Sequence, residues 1–174
     1  VSELVVLTMQ ALLDNGDEVL IPMPDYPLWT AAVVLSGGVA RHYECNEANS
    51  WLPDLDDIRA KINSRTRAIV IINPNNPTGA VVPPQQLLDW AARLGARGGW
   101  LIVDEAFGDT APGLSVAGHS AQPGLIVLRS VGKFFGLAGL RLGFVGAHPA
   151  LLDELADVLG PWAVSGPAQT VALA

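Results

Sequence analysis

The chain has 174 residues, half of them apolar and 16% charged, with a formal net charge of −7. That is enough for one domain with a substantial core, and the acidic balance argues against nucleic acid or an anionic membrane surface as a partner. No apolar run approaches the ~20 residues of a membrane-spanning helix, and the single cysteine, Cys45, excludes an internal disulfide and fits a reducing, cytoplasmic setting.

The opening Val1-Ser2-Glu3-Leu4 has no basic region leading into an apolar core and does not read as a signal peptide. Leu4 to Leu13 has a helical pattern that stops at Gly16. Glu18 to Pro22 is a short apolar strand. The turn Pro24-Asp25-Tyr26-Pro27 then opens a helix from about Leu28 to Ser36, which Gly37-Gly38 ends. Val39 to Tyr43 alternates as a strand does. Pro53-Asp54-Leu55-Asp56-Asp57-Ile58 begins a helix with acids at the positive end of its dipole. Ala68 to Ile72 is a β-branched buried strand, followed by the loop Asn73-Pro74-Asn75-Asn76-Pro77-Thr78-Gly79. A helix from Pro83 to Arg97 leads to the strand Trp100–Val103, which runs into Asp104-Glu105-Ala106-Phe107. Strands at Gly124–Arg129 and Leu140–Gly146 and a helix at Pro149–Leu159 complete the pattern. Helices alternating with short apolar strands predict an α/β fold, a mainly parallel sheet covered by helices on both faces.

Three polar segments come just after the apolar strands ending at Ile72, Val103 and Arg129, and ligands of open α/β sheets bind beyond the carboxyl ends of strands. Each candidate has a plain reading beside a functional one. Asn76 lies among common turn formers. Asp104 is either a cap or turn acid, or a buried carboxylate that needs a partner. Tyr26 is either a packed turn aromatic or a ring stacked on a ligand. The segment Ser130-Val131-Gly132-Lys133-Phe134-Phe135-Gly136-Leu137-Ala138-Gly139-Leu140-Arg141 places one lysine among glycines and apolar residues. Lysines are mostly surface charges, but apolar surroundings disfavour the ammonium form, and a neutral amine can form a Schiff base with a carbonyl. Arg141 carries a planar fork of donors suited to phosphate. Cys45 has no indicated histidine partner for thiol catalysis, and His42, His119 and His148 lack metal-ligand spacing.

In order and spacing, Asn76, Asp104, Ser130, Lys133 and Arg141 resemble the site of class I/II aminotransferases, fold-type I enzymes that use pyridoxal 5′-phosphate. The resemblance covers essentially the whole chain. It implies that Lys133 forms the Schiff base and shuttles the α-proton. Asp104 would keep the pyridine nitrogen protonated, Asn76 would donate to the ring's phenolic oxygen, and Tyr26 would stack on the ring. Ser130 and Arg141 would hold the phosphate, helped by the N-terminal amides of the helix starting near Ser2. It further implies an amino acid and a 2-oxo acid as substrates and a homodimer whose second subunit completes the site. Two residues depart from the pattern: Phe107 stands where a tyrosine is frequent, and Gly132 where many members carry a second serine.

The two halves resemble different members. Residues 1–82, with Pro24-Asp25-Tyr26-Pro27-Leu28-Trp29-Thr30-Ala31-Ala32, are similar to glutamate–pyruvate (alanine) aminotransferase. Residues 83–174, with Val103-Asp104-Glu105-Ala106-Phe107 and Leu159-Gly160-Pro161-Trp162, are similar to threonine-phosphate decarboxylase of cobalamin synthesis. This pattern suits a recombined or engineered chain, with an unusual natural member as the alternative. Residues 1–174 then form the cofactor-binding large domain, without the N-terminal arm and C-terminal small domain that the resemblance implies. The expected activity is amino transfer. The alternatives are decarboxylation of an amino-acid phosphate and a folded scaffold without turnover.

Overall fold

The run Ala68-Ile69-Val70-Ile71-Ile72 has no polar face, so a strand made from it must be covered on both sides. In the computed structural model, which describes residues 1–173, it lies in β3 (Thr66–Ile72), inside a six-stranded sheet ordered β2-β1-β3-β4-β5-β6. The other strands are β1 (Glu18–Met23), β2 (Val39–Glu44), β4 (Trp100–Glu105), β5 (Leu125–Ser130) and β6 (Gly143–Gly146). The pairs from β2 to β5 are parallel, and β6 joins β5 antiparallel. The strands before and after the Asn73–Gly79 loop, β3 and β4, pair directly from Ala68–Trp100 to Ile72–Asp104.

The described residues form six α-helices, α1 (Ser2–Leu12), α2 (Leu28–Leu35), α3 (Leu55–Lys61), α4 (Pro84–Gly95), α5 (Pro149–Leu159) and α6 (Gly166–Ala172), and the first five pack around the sheet. Successive strand residues point to opposite faces, so the central strands feed two cores. On one face Met9, Trp29 and Leu151 pack with Ile21, Val70, Ile102 and Leu128. On the other Ile58, Leu87 and Ala91 pack with Ile69, Leu101, Val103 and Val127. The helix starts follow local chemistry. Asp54 accepts from the amides of Asp56 and Asp57 to cap α3, with both acids at the positive end of the dipole as expected. The end of α4 lies hard against the start of β5. A Cβ on Gly124 would sit 2.5 Å from the Ala91 carbonyl oxygen and 2.6 Å from Gly95 Cα, and Gly124 also has φ +81°.

The strand expected over Leu140–Gly146 is shorter. Residues 138–140 form a 3₁₀ turn, Arg141 has φ 54° in the left-handed region, and pairing with β5 begins only at Gly143. The bonds Leu140 N–H to Leu137 O and Arg141 N–H to Ala138 O are local, so this backbone is turned rather than extended. No helix among the described residues is long and apolar enough to cross a membrane.

The amino end of the sheet is tied by a buried charge. Glu18, at the start of β1, is fully buried and accepts from Arg41 of β2 (3.0 Å from both Nε and Nη2), Arg65 before β3 (2.6 Å) and Asn63 (2.8 Å). The Arg41 hydrogen bonds, ahead of those from Asn63 and Arg65, hold its carboxyl down from 4.5 to about 2. A depressed folded pKa gives stability that is present above the unfolded value and lost as the pH falls through the folded one. Unfolding stability is therefore expected to drop between about pH 4.5 and pH 2. The drop should be on the order of 2 kcal/mol, modest because both arginines are half exposed. Urea unfolding across that range checks it: Glu18→Gln should flatten the slope, and an unchanged slope would contradict the assignment.

Candidate active site

Beyond the carboxyl end of β3, Asn73 shapes the loop that carries Asn76. Its backbone N–H bonds to the Asp104 carbonyl (2.9 Å), and its side chain exchanges two bonds with Val82, 2.9 Å to the amide and 3.2 Å to the carbonyl. Asn75 closes the turn inside, accepting from the Thr78 amide (3.1 Å) and hydroxyl (2.8 Å). Asn76 is thereby held over the strand end, half-buried and facing a narrow cleft.

Asp104 is the penultimate residue of β4 and is 5% exposed. Its Oδ1 accepts from the Ala106 amide (3.0 Å) and its Oδ2 from the Trp29 indole Nε1–H (3.1 Å). Both donors are neutral. Burial pushes this carboxyl above its usual range, against the smaller opposing effects of those two hydrogen bonds.

The lysine segment departs from one expectation. Lys133 is not enclosed by apolar groups. It is exposed at the rim of the cleft, with Nζ 5.4 Å from the centroid of the Phe107 ring. The segment folds back on itself, as Leu137 N–H bonds to Val131 O (3.2 Å). This turn explains Gly132: a Cβ there would lie 3.2 Å from Ala138 Cα and 3.4 Å from Ser130 Oγ. Ser130 is buried and its hydroxyl accepts from the Gly132 amide (3.1 Å). Among the described residues, Arg141 has no carboxylate partner, its one side-chain bond being a long one to Ala138 O (3.4 Å).

The six candidates meet at the carboxyl end of the sheet. Tyr26, Asn76, Asp104 and Lys133 line a cleft of about 50 Å³ together with Phe107 and the start of α1. Ser130, Lys133 and Arg141 line an adjoining cleft of about 360 Å³, which also includes Ser2 and Glu3 of α1. A larger groove of about 550 Å³ between α3 and α4 is apolar with three arginines, and it offers no carboxylate, hydroxyl or amide side chain for chemistry. The Cys45 thiol is buried and pushed up to about 11 by that burial, unsuited to nucleophilic work.

Three residues that shape the site were not read from the sequence. Trp29 and Asn73 are described above; the third is Glu105. It points to the opposite face from Asp104 and accepts from Ser115 Oγ (2.6 Å), the Val116 amide (2.7 Å) and Arg129 (3.0 Å), while Arg129 also pairs with Asp109. This clamp pins the run of 3₁₀ turns from Gly108 to His119, which follows directly on Phe107. Only a charged residue next to Asp104 in an apolar strand could have signalled it.

The family model for aminotransferase class I and II matches residues 1–174. The chain belongs to this family. Pyridoxal phosphate is the cofactor that membership implies. Among curated relatives, glutamate-pyruvate aminotransferase AlaA of Haemophilus influenzae is 49% identical over 150 residues, covering 83% of this chain and 37% of that protein. Threonine-phosphate decarboxylase of Pseudomonas aeruginosa is 46% identical over 166 residues, 94% of this chain and 47% of its own. The Sinorhizobium decarboxylase is 64% identical over 107 residues, 61% of this chain and 32% of its own. The first two similarities are too long to stop at residue 82, so both run across both halves. The crystal structure of an Escherichia coli aminotransferase superposes with a TM-score of 0.84 at 43% identity, covering 97% of this chain and 44% of that one. The chain thus spans between about a third and a half of the relatives it matches.

Proposed function

We propose that the chain is the cofactor-binding domain of an aminotransferase acting on a small amino acid and a 2-oxo acid, with Lys133 as the covalent anchor of the cofactor. The observation that carries this is the Asp104 carboxylate: nearly buried, held by two neutral N–H groups, and lining the same cleft as Lys133, Asn76 and Tyr26. A buried carboxylate without a neutralising partner is costly, and a protonated ring nitrogen would neutralise it. The phosphate also fits the residues present. The first turn of α1, with Ser2 and Glu3, faces a cleft, and backbone N–H groups at a helix start favour an anion. Ser130 and Arg141 line the same cleft.

When bound, the cofactor supplies an electron sink that weakens the bonds at the substrate α-carbon. The chain's residues hold and orient it. Asp104 would keep a negative charge at the ring-nitrogen end, Asn76 would donate its side-chain N–H to the ring oxygen, and Tyr26, 44% exposed, would offer a face for stacking. The Lys133 amine moves a proton to and from the α-carbon. Phe107 has no hydroxyl and shapes the wall beneath Lys133 by its ring alone.

A second reading, decarboxylation of an amino-acid phosphate, is favoured by Phe107 and by the identity to the Sinorhizobium decarboxylase. The same reading carries a cytoplasmic homodimer. The exposed pair Phe134 and Phe135, with ring centroids 5.2 Å apart, offers apolar surface for a second copy.

The test is an absorbance scan of the purified protein with added pyridoxal phosphate, repeated after borohydride reduction. A visible band fixed covalently by reduction, and absent in Lys133→Ala, is the expected result. No band in the folded protein would leave a scaffold without turnover. Alanine with 2-oxoglutarate tests amino transfer, and CO₂ release from threonine phosphate tests decarboxylation.

A further inference from the structure

We propose that Trp29 is a positioning residue that fixes the Asp104 carboxylate in the plane and orientation its cofactor partner needs; this rests on the reading of Asp104 given above. Trp29 lies in α2 and is fully buried, and Asp104 lies in β4. Its indole N–H reaches Oδ2 at 3.1 Å while the Ala106 amide reaches Oδ1 at 3.0 Å. A carboxylate held at both oxygens cannot turn about its own axis. Each oxygen keeps further acceptor capacity, and that capacity is left for a donor arriving from the cleft.

The kind of donor matters. An indole N–H donates only and does not titrate, whereas a hydroxyl, amide or imidazole could rotate or change tautomer and accept a hydrogen bond from a protonated Asp104. Trp29 therefore favours the anion at every working pH, opposing the burial that disfavours it. It also joins two parts of the site. Its backbone N–H bonds to the Tyr26 carbonyl at 3.0 Å, so one side chain ties the turn carrying Tyr26 to the strand carrying Asp104.

The contact can be read without turnover. In ¹⁵N-labelled protein free of cofactor, the Trp29 indole resonance, assigned by through-bond experiments, should shift as Asp104 titrates. Lys133 is the side-chain cation acting on Asp104, and Asp104→Asn separates the carboxyl's titration from that of Lys133: it should leave the indole resonance flat in the acid range. Trp29→Phe should weaken pyridoxal phosphate binding by about tenfold, raise the apparent Asp104 pKa, and still allow borohydride to fix the cofactor on Lys133. An indole resonance indifferent to Asp104, or full affinity in a folded Trp29→Phe, overturns the inference. Failure of the cofactor reading itself would appear differently, as a parent protein that fixes no cofactor while its indole resonance still follows Asp104.

Discussion

Asp104→Asn is expected to yield a cofactor-free protein at least as stable as the parent, yet to lower turnover by at least about 10²-fold. The two effects share one cause. Asp104 is buried and its carboxyl is raised above its ordinary range by that burial, so without a cationic partner its charge opposes folding. Asparagine keeps the shape and can still accept from Trp29, but carries no charge to desolvate. The sign follows from linkage: a carboxyl whose folded pKa is raised makes the protein more stable as the pH falls through that pKa toward the unfolded one. The parent should gain stability on mild acidification from this site, and the variant should not. With cofactor bound, the missing negative charge no longer holds a proton on the ring nitrogen. Melting curves with and without pyridoxal phosphate, set beside turnover, separate the two effects. A variant that is less stable without cofactor and equally active would contradict the assignment.

Glu105→Ala is expected to cost about 3–5 kcal/mol of folding stability, the usual loss when one partner of a buried ion pair is removed. Glu105 is 1% exposed and Arg129 is 24% exposed on its side chain, so the guanidinium would be left largely desolvated with Asp109 and the Ser115 hydroxyl as its partners. The Ser115 hydroxyl and Val116 amide would lose their acceptor together. The turns from Gly108 to His119 should then loosen, and Phe107 with them, so weaker cofactor binding should accompany the loss of stability. Urea unfolding gives the first number and hydrogen exchange at Val116 the second. A cost below 1 kcal/mol with Val116 still protected would show that the loop is held by something else.

The sheet and its helices were legible because strong patterns carry them. Ala68–Ile72 is too apolar to be anything but a two-sided strand, and Gly16 and Gly37-Gly38 mark helix ends. The candidate residues could be picked out because Asn76, Asp104, Ser130 and Lys133 lie at or just after strand ends, and all six candidates line two adjoining clefts. Contacts across the fold were not legible. Trp29 and Asp104 are 75 positions apart, and no local periodicity says that an indole in α2 will face a carboxylate in β4. The exposure of Lys133 was missed for a related reason: apolar neighbours in sequence, Phe134, Phe135 and Leu137, turned out to be exposed themselves. The strand over Leu140–Gly146 was overextended because an alternating pattern cannot reveal a left-handed residue such as Arg141.

The Glu18 clamp and the Gly95–Gly124 contact both lie at the amino ends of the strands, while the six site residues gather at the carboxyl ends. The molecule thus has one pole that only anchors the sheet and another that combines the candidate site with an anchor of its own, the Glu105–Arg129 clamp, joined by strands whose central members are covered on both faces. Side chains at the second pole can be exchanged, such as a tyrosine for Phe107, without disturbing the bonds that guard the first. The cleft can therefore change at one end of the sheet while the Glu18 anchor at the other end stays as it is.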